Sequence, residues 1–589
     1  MEAARREQTA CAEFTAGLFE GRVNWSALLP FPEEPSEVEE GTGAFLAELE
    51  RVLRAELDPD EVDRSGQIPS SARTALARLG CFALRIPKEY GGLGFSQRSY
   101  DRIIHFIASY CASTAVFLSA HQSIGVPQPL LLFGTEEQKR KYLPRFRTGT
   151  VSAFALTEAG AGSDPKAMRT TAVPSADGKT FTLSGEKLYV TNGPEAEILL
   201  VVARTPSAEA AGEDRLSAFL VERSMPGVEP RERLEFMGMR GIQNGTVRFR
   251  DVRVPRENLV GPEGKGLRVA FETLNYGRLT MAAAAAGGAK RALQMSRLWA
   301  GERAQMGSKI GQFETVACRL GDMAADAFAA DAVSRWASLA ADRASPEIRL
   351  TAALAKLFCT ERSLAAVEQA LQVRGGRGYE TAASLRRRGE RVFPAERMLR
   401  DARAGTLLEG TSQILRLFIA REGFASHGEQ LRAVLGKGKS FGDRVSAFFG
   451  LLRFYGAGCP LGRLGPKLPG ELAGHAAFIT RSARALRGKM GGLIFRHGSR
   501  LEGRQRALAA VADIAAGLFA MAVVCARAVS EVDRESAVHL ASVFCHKTRG
   551  EVADAFRLLG AKGTRALAET GREVLASRYE WLERDIADF

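Results

Sequence analysis

The feature that most constrains the fold of this chain is a change in hydrophobic period between residues 151 and 262. The flanking segments, 1–150 and 263–429, repeat apolar side chains at helical spacing. Between them the spacing shortens to two, as in Phe181-Thr182-Leu183, which follows the turn residues Asp177-Gly178. Such alternation is typical of strands with one buried face. The sequence therefore predicts a small β domain, 151–262, set between helical domains at 1–150 and 263–429.

A further domain is expected at residues 430–589. Glycine and proline recur between 436 and 469, which is typical of a linker, and helical spacing then resumes. The run Ala507–Ala526 is apolar except for Asp513, so that only residues 514–526 are free of charge before Arg527. This stretch is too short to cross a bilayer. We therefore expect a buried bundle helix here, within an appended helical domain.

The positive charge of the chain is concentrated in residues 430–506. The net charge of the whole chain is +13, and this segment holds fifteen Lys and Arg against only Asp443, Glu471 and Glu502. An anionic partner is therefore expected to dock in this segment. Nucleic acid is not the expected partner, because the segment has no recognisable nucleic-acid-binding fold and few interleaved aromatic residues.

Within the basic segment, five apolar residues fall on one helical face, and Arg444 and Arg453 flank them. A basic amphipathic helix of this kind predicts binding to an anionic membrane surface. An ordinary core face within the appended domain is the alternative, and the sequence leaves both open. The five residues are Phe441, Val445, Phe448, Phe449 and Leu452.

Cysteine and histidine usage favours a reducing compartment and no metal. The eight cysteines are scattered without a Cys-x-x-Cys pair, and the seven histidines show neither His-x-x-x-His nor His-Glu-x-x-His spacing. Residues 1–13 lack the apolar core of a signal peptide. We therefore expect a cytoplasmic protein, either soluble or peripheral at the inner face of the cell membrane, with no protein-ligated metal.

Glu409 is the strongest catalytic candidate. It follows the apolar pair Leu407-Leu408 and precedes Gly410, just before a helical pattern begins. A carboxylate against apolar neighbours is harder to ionise and is therefore a stronger base, as proton abstraction beside a carbonyl requires. The alternative is ordinary helix-start chemistry, with Thr411 or Ser412 capping the helix.

Four segments in order resemble the signatures of acyl-CoA dehydrogenases. Ala155–Asp164 resembles the flavin loop of that family, while Lys187–Gly193 and Gly375–Gly378 resemble its second and third signatures. Glu409–Gln413 resembles its catalytic-base segment. Together they span roughly residues 85–425.

Two further segments, Ala120–Gly125 and the extension 430–589, resemble the very-long-chain branch of the family. The resemblance implies a helical N-terminal domain, a central β-barrel-like domain, a four-helix bundle and an appended helical domain. It also implies a homodimer.

The resemblance implies FAD-dependent α,β-dehydrogenation of a long-chain or very-long-chain fatty acyl-CoA to the trans-2-enoyl-CoA. Glu409 would remove the α-proton, a hydride would pass to flavin N5, and electrons would leave to an electron-transfer flavoprotein. Related branches place the base immediately before the arginine that matches Arg278, but Gly277 stands there in this chain. An acyl-CoA oxidase and a non-catalytic assembly or scaffold protein on the same fold are the alternatives.

The resemblance also assigns binding residues, each by its match to a family signature. Those expected to bind FAD are Phe154, Leu156, Thr157, Ser163, Tyr189, Thr191, Arg303, Met306, Gln372, Gly376, Thr411 and Gln413. Those expected to bind the acyl-CoA are Ser163, Arg278, Gly410 and Arg421.

The chain departs from the family pattern at several places. Tyr189 stands where tryptophan is usual and Met306 where phenylalanine is usual, and both changes fall in the expected flavin pocket. Residues 384–393 resemble an insertion. Small side chains along one N-terminal helix are expected to deepen the tunnel for a long acyl tail; they are Ala115, Ser119 and Ala120.

Overall fold

The structure is a computed structural model. It describes most of the chain, and the statements below concern the described residues. These are 14–33, 35–206, 215–345, 347–435, 446, 449–451, 454–455, 466–560 and 563–587.

The N-terminal domain is helical. Its helix Gln97–Tyr110 shows why: Ser96 caps it by accepting a hydrogen bond from the Ser99 backbone N–H at 3.1 Å, and its apolar face is buried. The helix ends where Cys111 adopts an extended φ of −145°. The helices of this part are α1 (residues 14–19), α2 (Ser36–Glu56), α3 (Pro59–Ser65), α4 (Ser70–Leu79), α5 (Gln97–Tyr110), α6 (Ala112–Ser119), α7 (Pro127–Phe133) and α8 (Glu136–Phe146).

The central domain is a twisted eight-stranded sheet. Its strands run in the order β6-β7-β3-β2-β4-β5-β8, with β1 paired in parallel to β4. The long strand β3 pairs antiparallel with β7, and a register shift interrupts the pairing between Lys187 and Val190. The strands are β1 (Ser152–Ala155), β2 (Thr171–Pro174), β3 (Thr180–Thr191), β4 (Ile198–Thr205), β5 (Arg215–Glu222), β6 (Val228–Arg233), β7 (Asn244–Pro255) and β8 (Leu259–Val260).

The third domain is built on long helices rich in small residues, which let the helices approach closely. At Gly287 a Cβ would lie 2.2 Å from the carbonyl oxygen of His105, so only glycine permits this crossing. The elements are α9 (Gly266–Glu302), the hairpin β9 (Ala304–Gln305) and β10 (Ser308–Lys309), α10 (Glu314–Asp342), α11 (Ile348–Arg374), α12 (Gly376–Tyr379), α13 (Ala382–Arg387), α14 (Ala395–Gly405) and α15 (Ser412–Leu435).

The appended domain shares one continuous apolar core with the third domain and with α1. Phe14 of α1 packs between Trp336 of α10 and Phe519, with ring centroids 5.2 and 5.8 Å away. The helices are α16 (Leu472–His497), α17 (Gln505–Ala528), α18 (Arg534–Leu559) and α19 (Thr564–Leu575).

Helix α17 is the one described helix that is long and apolar enough to cross a membrane. In the fold, 83% of its most apolar stretch is buried. It packs against α10, α15, α16 and α18. The prediction of a buried bundle helix is therefore confirmed.

The predicted succession of helical, β, helical and appended helical parts is confirmed. The helices and strands expected from hydrophobic spacing are present, and α15 continues through the expected boundary at residue 430 to Leu435. Of the predicted amphipathic face, Phe441, Val445, Phe448 and Leu452 lie outside the described residues. Phe449 is described and is 64% exposed.

Candidate active site

Glu409 lies in the turn between α14 and α15, in a backbone conformation that is uncommon for a side-chain-bearing residue. Its φ is +56°, and that of Gly410 is +96°. Left-handed φ at a residue other than glycine often marks a functional site. Thr411 caps α15, since its Oγ1 accepts a hydrogen bond from the Ile414 backbone N–H at 3.3 Å. The helix-start interpretation is thus correct for Thr411, while Glu409 takes no part in that cap.

The carboxylate of Glu409 faces α9 at Gly277. A Cβ built on Gly277 would lie 3.0 Å from Cδ and Oε1 of Glu409 and 2.6 Å from Ile124. The glycine therefore leaves the space that the carboxylate occupies. The residue is half-buried as a whole, but its Oε2 is fully buried and has no hydrogen-bond partner among the described residues.

Two buried cations lie beside this carboxyl group. Arg278 donates from Nε to the Glu409 carbonyl at 3.4 Å, and Lys356 of α11 donates from Nζ to the Gly410 carbonyl at 2.8 Å. Burial raises the pKa of Glu409 to about 7, and the charges of Arg278 and Lys356 oppose the rise. Burial also lowers the pKa of Lys356 to about 8. The carboxyl is thus poised to gain or lose a proton near neutral pH.

Lys356 was not predicted from the sequence. Its only sequence signal is a charged residue within the apolar run Thr351–Cys359. The packing of α11 against the Glu409 turn gives that lysine its place.

A cavity of about 470 Å³ opens one helical turn from Gly277, at Met281. It follows the same face of α9 past Ala285 and Gly288 to Met295. The fourteen residue steps from Met281 to Met295 correspond to about 21 Å of helix. The cavity is therefore long, and the α9 side chains that line it include small and apolar residues such as Met281, Ala285 and Gly288.

The far end of the cavity carries charge. Arg54, Arg291 and Arg391 line it, and Arg291 donates from Nε to the Ser109 carbonyl at 2.7 Å. The end remote from Glu409 is thus polar.

None of the three small residues that were expected to line the tunnel lines this cavity. The cavity meets α6 at Ala112, Ser113 and Val116. Ala115 instead packs in the core of the N-terminal domain, because it lies about 100° around α6 from Val116. Ser119 and Ala120 also lie outside the cavity lining.

The segments expected to hold the flavin meet at the register shift of β3. Tyr189 takes a φ of +58° there, which leaves its side chain 56% exposed beside Phe236, with ring centroids 6.0 Å apart. Thr191 accepts a hydrogen bond at Oγ1 from Asn244 at 3.0 Å. Phe154 and Leu156 pack partly buried at the end of β1, and Thr157 accepts from the Leu188 backbone N–H at 2.8 Å.

A buried ion pair holds this loop against β3. Lys187 donates from Nζ to the Leu156 carbonyl at 3.0 Å and to Oε1 of Glu158 at 2.7 Å. Glu158 in turn accepts from the Thr170 backbone N–H at 3.0 Å. The two residues belong to quoted signatures, but their pairing was not predicted, because it depends on the register of the sheet.

The remaining residues that were expected to bind FAD or acyl-CoA lie at or near the surface of the described part of the chain. Met306 sits at the tip of the β9–β10 hairpin with φ +52° and is 94% exposed. The other exposed or partly exposed positions are Ser163, Arg303, Gln372, Gly376, Gln413 and Arg421.

An unpredicted residue lies beside Gly376. Arg374, at the end of α11, is buried with its guanidinium carbon 4.6 Å from the ring centroid of Trp299 and 4.8 Å from that of Phe393. None of its side-chain nitrogens has a hydrogen-bond partner among the described residues. Phe393 belongs to the segment 384–393, so this segment closes over the end of α11.

Four family models match the chain in succession. The acyl-CoA dehydrogenase N-terminal domain matches residues 39–150, the middle domain 153–252 and the C-terminal domain 264–424. The ACAD9/ACADV C-terminal domain matches residues 470–574. The chain therefore belongs to the acyl-CoA dehydrogenase family, and its resemblance to the very-long-chain branch is confirmed.

Individual relatives agree with this assignment. Probable acyl-CoA dehydrogenase FadE10 of Mycobacterium tuberculosis is 42% identical over 98% of this chain and 90% of its own length. The human mitochondrial very long-chain specific acyl-CoA dehydrogenase is 33% identical over 90% of this chain and 81% of its own. Among solved structures, an acyl-CoA dehydrogenase complexed with FAD from Bacillus anthracis superposes with a TM-score of 0.72, at 28% identity, over 90% of this chain and 88% of its own.

Proposed function

We propose that the chain is an FAD-dependent dehydrogenase that converts long-chain or very-long-chain fatty acyl-CoA to trans-2-enoyl-CoA, with Glu409 as the base. Family membership supports the reaction class and the cofactor. One observation carries the assignment of the base: a buried carboxylate oxygen without a hydrogen-bond partner among the described residues faces Gly277, one turn from a long cavity.

The residues at the β3 register shift suit a flavin. A planar aromatic ring system needs flat apolar faces and hydrogen-bond donors and acceptors at its edge. Tyr189 and Phe236 offer exposed rings, and Thr191, two residues after Tyr189 at the end of β3, offers a hydroxyl. Phe154, Leu156 and Thr157 would hold the ring system from the loop side. Bound FAD would supply the hydride acceptor for the β-hydrogen of the substrate.

Glu409 supplies the proton chemistry. With a pKa of about 7, its carboxyl is ionised in about half the molecules at neutral pH, and burial makes the ionised form a strong base. The α-proton of the substrate would pass to the unpartnered Oε2. The rate kcat/KM should therefore rise with pH through about 7, as the free enzyme loses this proton.

The backbone N–H of Glu409 suits the thioester oxygen. It has no hydrogen-bond partner among the described residues, because the turn carries it outside α14 and α15. A preorganised N–H aimed at an oxygen that gains negative charge lowers the barrier. The left-handed φ of Glu409 would thus orient side chain and N–H together. Arg278 would fix the turn through the Glu409 carbonyl, and Gly410 would line the thioester side.

The preference for long chains rests on the cavity along α9. A channel of about 21 Å, with Met281, Ala285 and Gly288 along α9, would bury an extended acyl tail and exclude water from it. Leucine at position 288 would block the channel because Gly288 lines it. We expect Gly288→Leu to lose most activity on palmitoyl-CoA while keeping activity on butyryl-CoA. An equal loss on both substrates would place the tail elsewhere.

We also propose that a second copy of the chain completes the cofactor site. Arg303, Gln372 and Gly376 are exposed or partly exposed in the single chain, as contacts to a partner's FAD require. Thr411, Gln413 and Ser163 would contact the chain's own FAD, and Ser163 and Arg421 the acyl-CoA. Electrons would leave to an electron-transfer flavoprotein.

The basic extension is proposed to bind an anionic membrane at the inner face of the cell membrane. Phe495, at the end of α16, is 96% exposed, and its neighbours Arg496 and Arg500 are also exposed. An exposed aromatic ring among cations suits insertion between acidic headgroups. The protein should sediment with anionic liposomes at low salt and be released at high salt. Binding that ignores lipid charge and salt would contradict this proposal.

One experiment tests the reaction itself. Palmitoyl-CoA is added to the purified protein without oxygen, the flavin absorbance is followed, and air is then admitted. Bleaching that persists in air indicates a dehydrogenase that needs a protein acceptor, whereas rapid recolouring indicates an oxidase. Failure to retain any flavin would indicate the non-catalytic scaffold.

A further inference from the structure

The packing of α16 against α18 brings two pairs of polar side chains face to face, away from the residues assigned to the dehydrogenase site. Glu471 and His475 are one helical turn apart at the start of α16, and Ser542 and His546 are one turn apart in α18. One ligand atom from each of Glu471, His475 and His546 lies within 4.8 Å of the other two. Two helices thus present four nitrogen and oxygen donors to one point.

The contacts within this cluster are close. Nε2 of His546 lies 3.2 Å from Oε2 of Glu471, and the Ser542 hydroxyl donates to the same carboxylate oxygen. The imidazoles of His475 and His546 meet edge to face, with ring centroids 4.7 Å apart. A tetrahedral ion with bonds of about 2.0–2.1 Å separates its ligand atoms by about 3.4 Å. The carboxylate and His546 already have this spacing.

His475 is the second observation that points to a ligand. The residue is 1% exposed, yet its Nδ1 has no hydrogen-bond partner among the described residues. Its Nε2 reaches only the Ser542 hydroxyl, at 3.4 Å. Leaving a buried imidazole nitrogen without a partner is costly.

We propose that Glu471, His475 and His546 bind a divalent transition-metal ion, with Zn²⁺ the best match. Two imidazoles and one carboxylate are a common ligand set for zinc, whereas Mg²⁺ and Ca²⁺ prefer oxygen ligands alone. The Ser542 hydroxyl or a water molecule fills the fourth position. The guanidinium carbon of Arg549 lies over the ring of Phe478, 4.8 Å from its centroid.

The ion would fasten the first turn of α16 to the middle of α18. Glu471 directly precedes α16, and the sequence before it is rich in glycine and proline. A metal that binds the folded state alone stabilises it by mass action. The role inferred is therefore structural, and it is independent of the dehydrogenase chemistry.

Zinc binding by the full-length, FAD-loaded protein tests this proposal. The measurements are equilibrium dialysis with ZnCl2 followed by metal analysis, and thermal unfolding with and without ZnCl2. A Cys318→Ser background removes an exposed thiol that could bind zinc itself. We expect one zinc per chain and a rise in melting temperature of about 5 °C at a hundredfold excess over Kd. MgCl2 should give neither.

The variant His546→Ala should weaken zinc binding at least about tenfold and abolish the thermal shift. His546 is largely exposed, so its removal should leave the fold intact, and His475→Ala should act in the same direction. The matched control is His539→Ala, an exposed histidine on the same helix that lies outside the cluster. Absence of zinc binding, or zinc binding that survives His546→Ala, would overturn the proposal.

Discussion

Two buried carboxylates with cationic neighbours, Glu409 in the active site and Asp331 at the junction with the appended domain, behave in opposite ways. Asp331 of α10 is 5% exposed and pairs with Lys290 at 2.7 Å, Arg335 at 3.2 Å and Arg527. Burial would raise its pKa, but the three cations outweigh burial and hold the pKa well below the ordinary range. Glu409 keeps an unpartnered oxygen, and its pKa is raised to about 7.

The difference lies in how the cations are arranged. At Asp331 they contact the carboxylate oxygens directly, so the charge is fixed and the pair joins α10 to α9 and α17. At Glu409 both nearby cations donate to backbone carbonyls instead, so the carboxylate keeps a free lone pair. Burial with direct ion pairs makes a structural carboxylate, and burial without them makes a base.

The largest effect should follow removal of the base. Glu409→Gln keeps the shape of the side chain but cannot accept the α-proton, so turnover on palmitoyl-CoA should fall about 10⁴-fold while FAD remains bound. Steady-state kinetics measure the turnover, and the flavin spectrum measures the retention of FAD. Glu429→Gln, at an exposed position of the following helix α15, is the matched control and should be unaffected. Substantial residual turnover in Glu409→Gln would assign the base to another group.

The next largest effect should follow removal of the Asp331 carboxylate. Asp331→Asn leaves three cations without their partner, and the free energy of unfolding should fall by about 3–5 kcal/mol. Urea denaturation measures the loss, and kcat at 25 °C should change little. Asp322→Asn, exposed on the same helix, should cost less than about 1 kcal/mol. Equal stability of the two variants would mean that the Asp331 cluster does not hold the domains together.

A smaller effect concerns the free energy of unfolding. Loss of the Glu409 charge should raise it, whereas loss of a buried charge usually lowers it. The pKa of Glu409 is about 7 in the fold and 4.5 in its ordinary state, so the ionised form destabilises the fold above pH 7 and this penalty fades towards pH 4.5. Glu409→Gln should therefore be more stable than the natural chain by about 3 kcal/mol at pH 8, but by less than about 1 kcal/mol at pH 5. Urea denaturation at the two pH values tests this. A variant less stable at pH 8 would show that the carboxylate is well paired.

The smallest predicted effect tests the space beside Glu409. In Gly277→Ala the new methyl group would contact Ile124 and the Glu409 carboxylate, and a shift of a few tenths of an ångström should lower kcat/KM about tenfold. Gly301→Ala, on the same helix with open space around it, should leave kcat/KM unchanged. Full activity in Gly277→Ala would show that the carboxylate position tolerates movement.

Local patterns predicted the succession of domains and the segment that holds Glu409. Hydrophobic period distinguishes a helix from a strand without knowledge of its neighbours, so the alternation at Phe181-Thr182-Leu183 was correctly expected to form a strand, although β3 continues to Thr191. Sequence patterns did not predict the residues whose role depends on a partner distant in the chain. Lys356 needs the Glu409 turn, Arg374 needs Phe393, and the Lys187–Glu158 pair needs the register of β3.

The residues expected to line the tunnel show that the spacing of small residues on a helix was not enough to predict which of them face the cavity. Ala115, Ser119 and Ala120 were expected to line the acyl tunnel, but the side of α6 that faces the cavity is set by how this helix packs on α9 and α14. Residues one position apart on a helix lie about 100° apart, so Ala115 fell on the core side and Val116 on the cavity side. The proposed metal ligands were not predicted from the sequence, because Glu471 and His546 are far apart in the chain and lack a familiar spacing.

The sequence by itself determined the family, the order of its domains and the chemical character of the Glu409 turn, because these depend on local pattern. Only the tertiary structure decided that burial raises the pKa of one carboxyl group, Glu409, while three cations hold the pKa of another, Asp331, below its ordinary range. A pKa depends on which charges and dipoles contact a group in three dimensions, and those contacts come from helices that are distant in the chain.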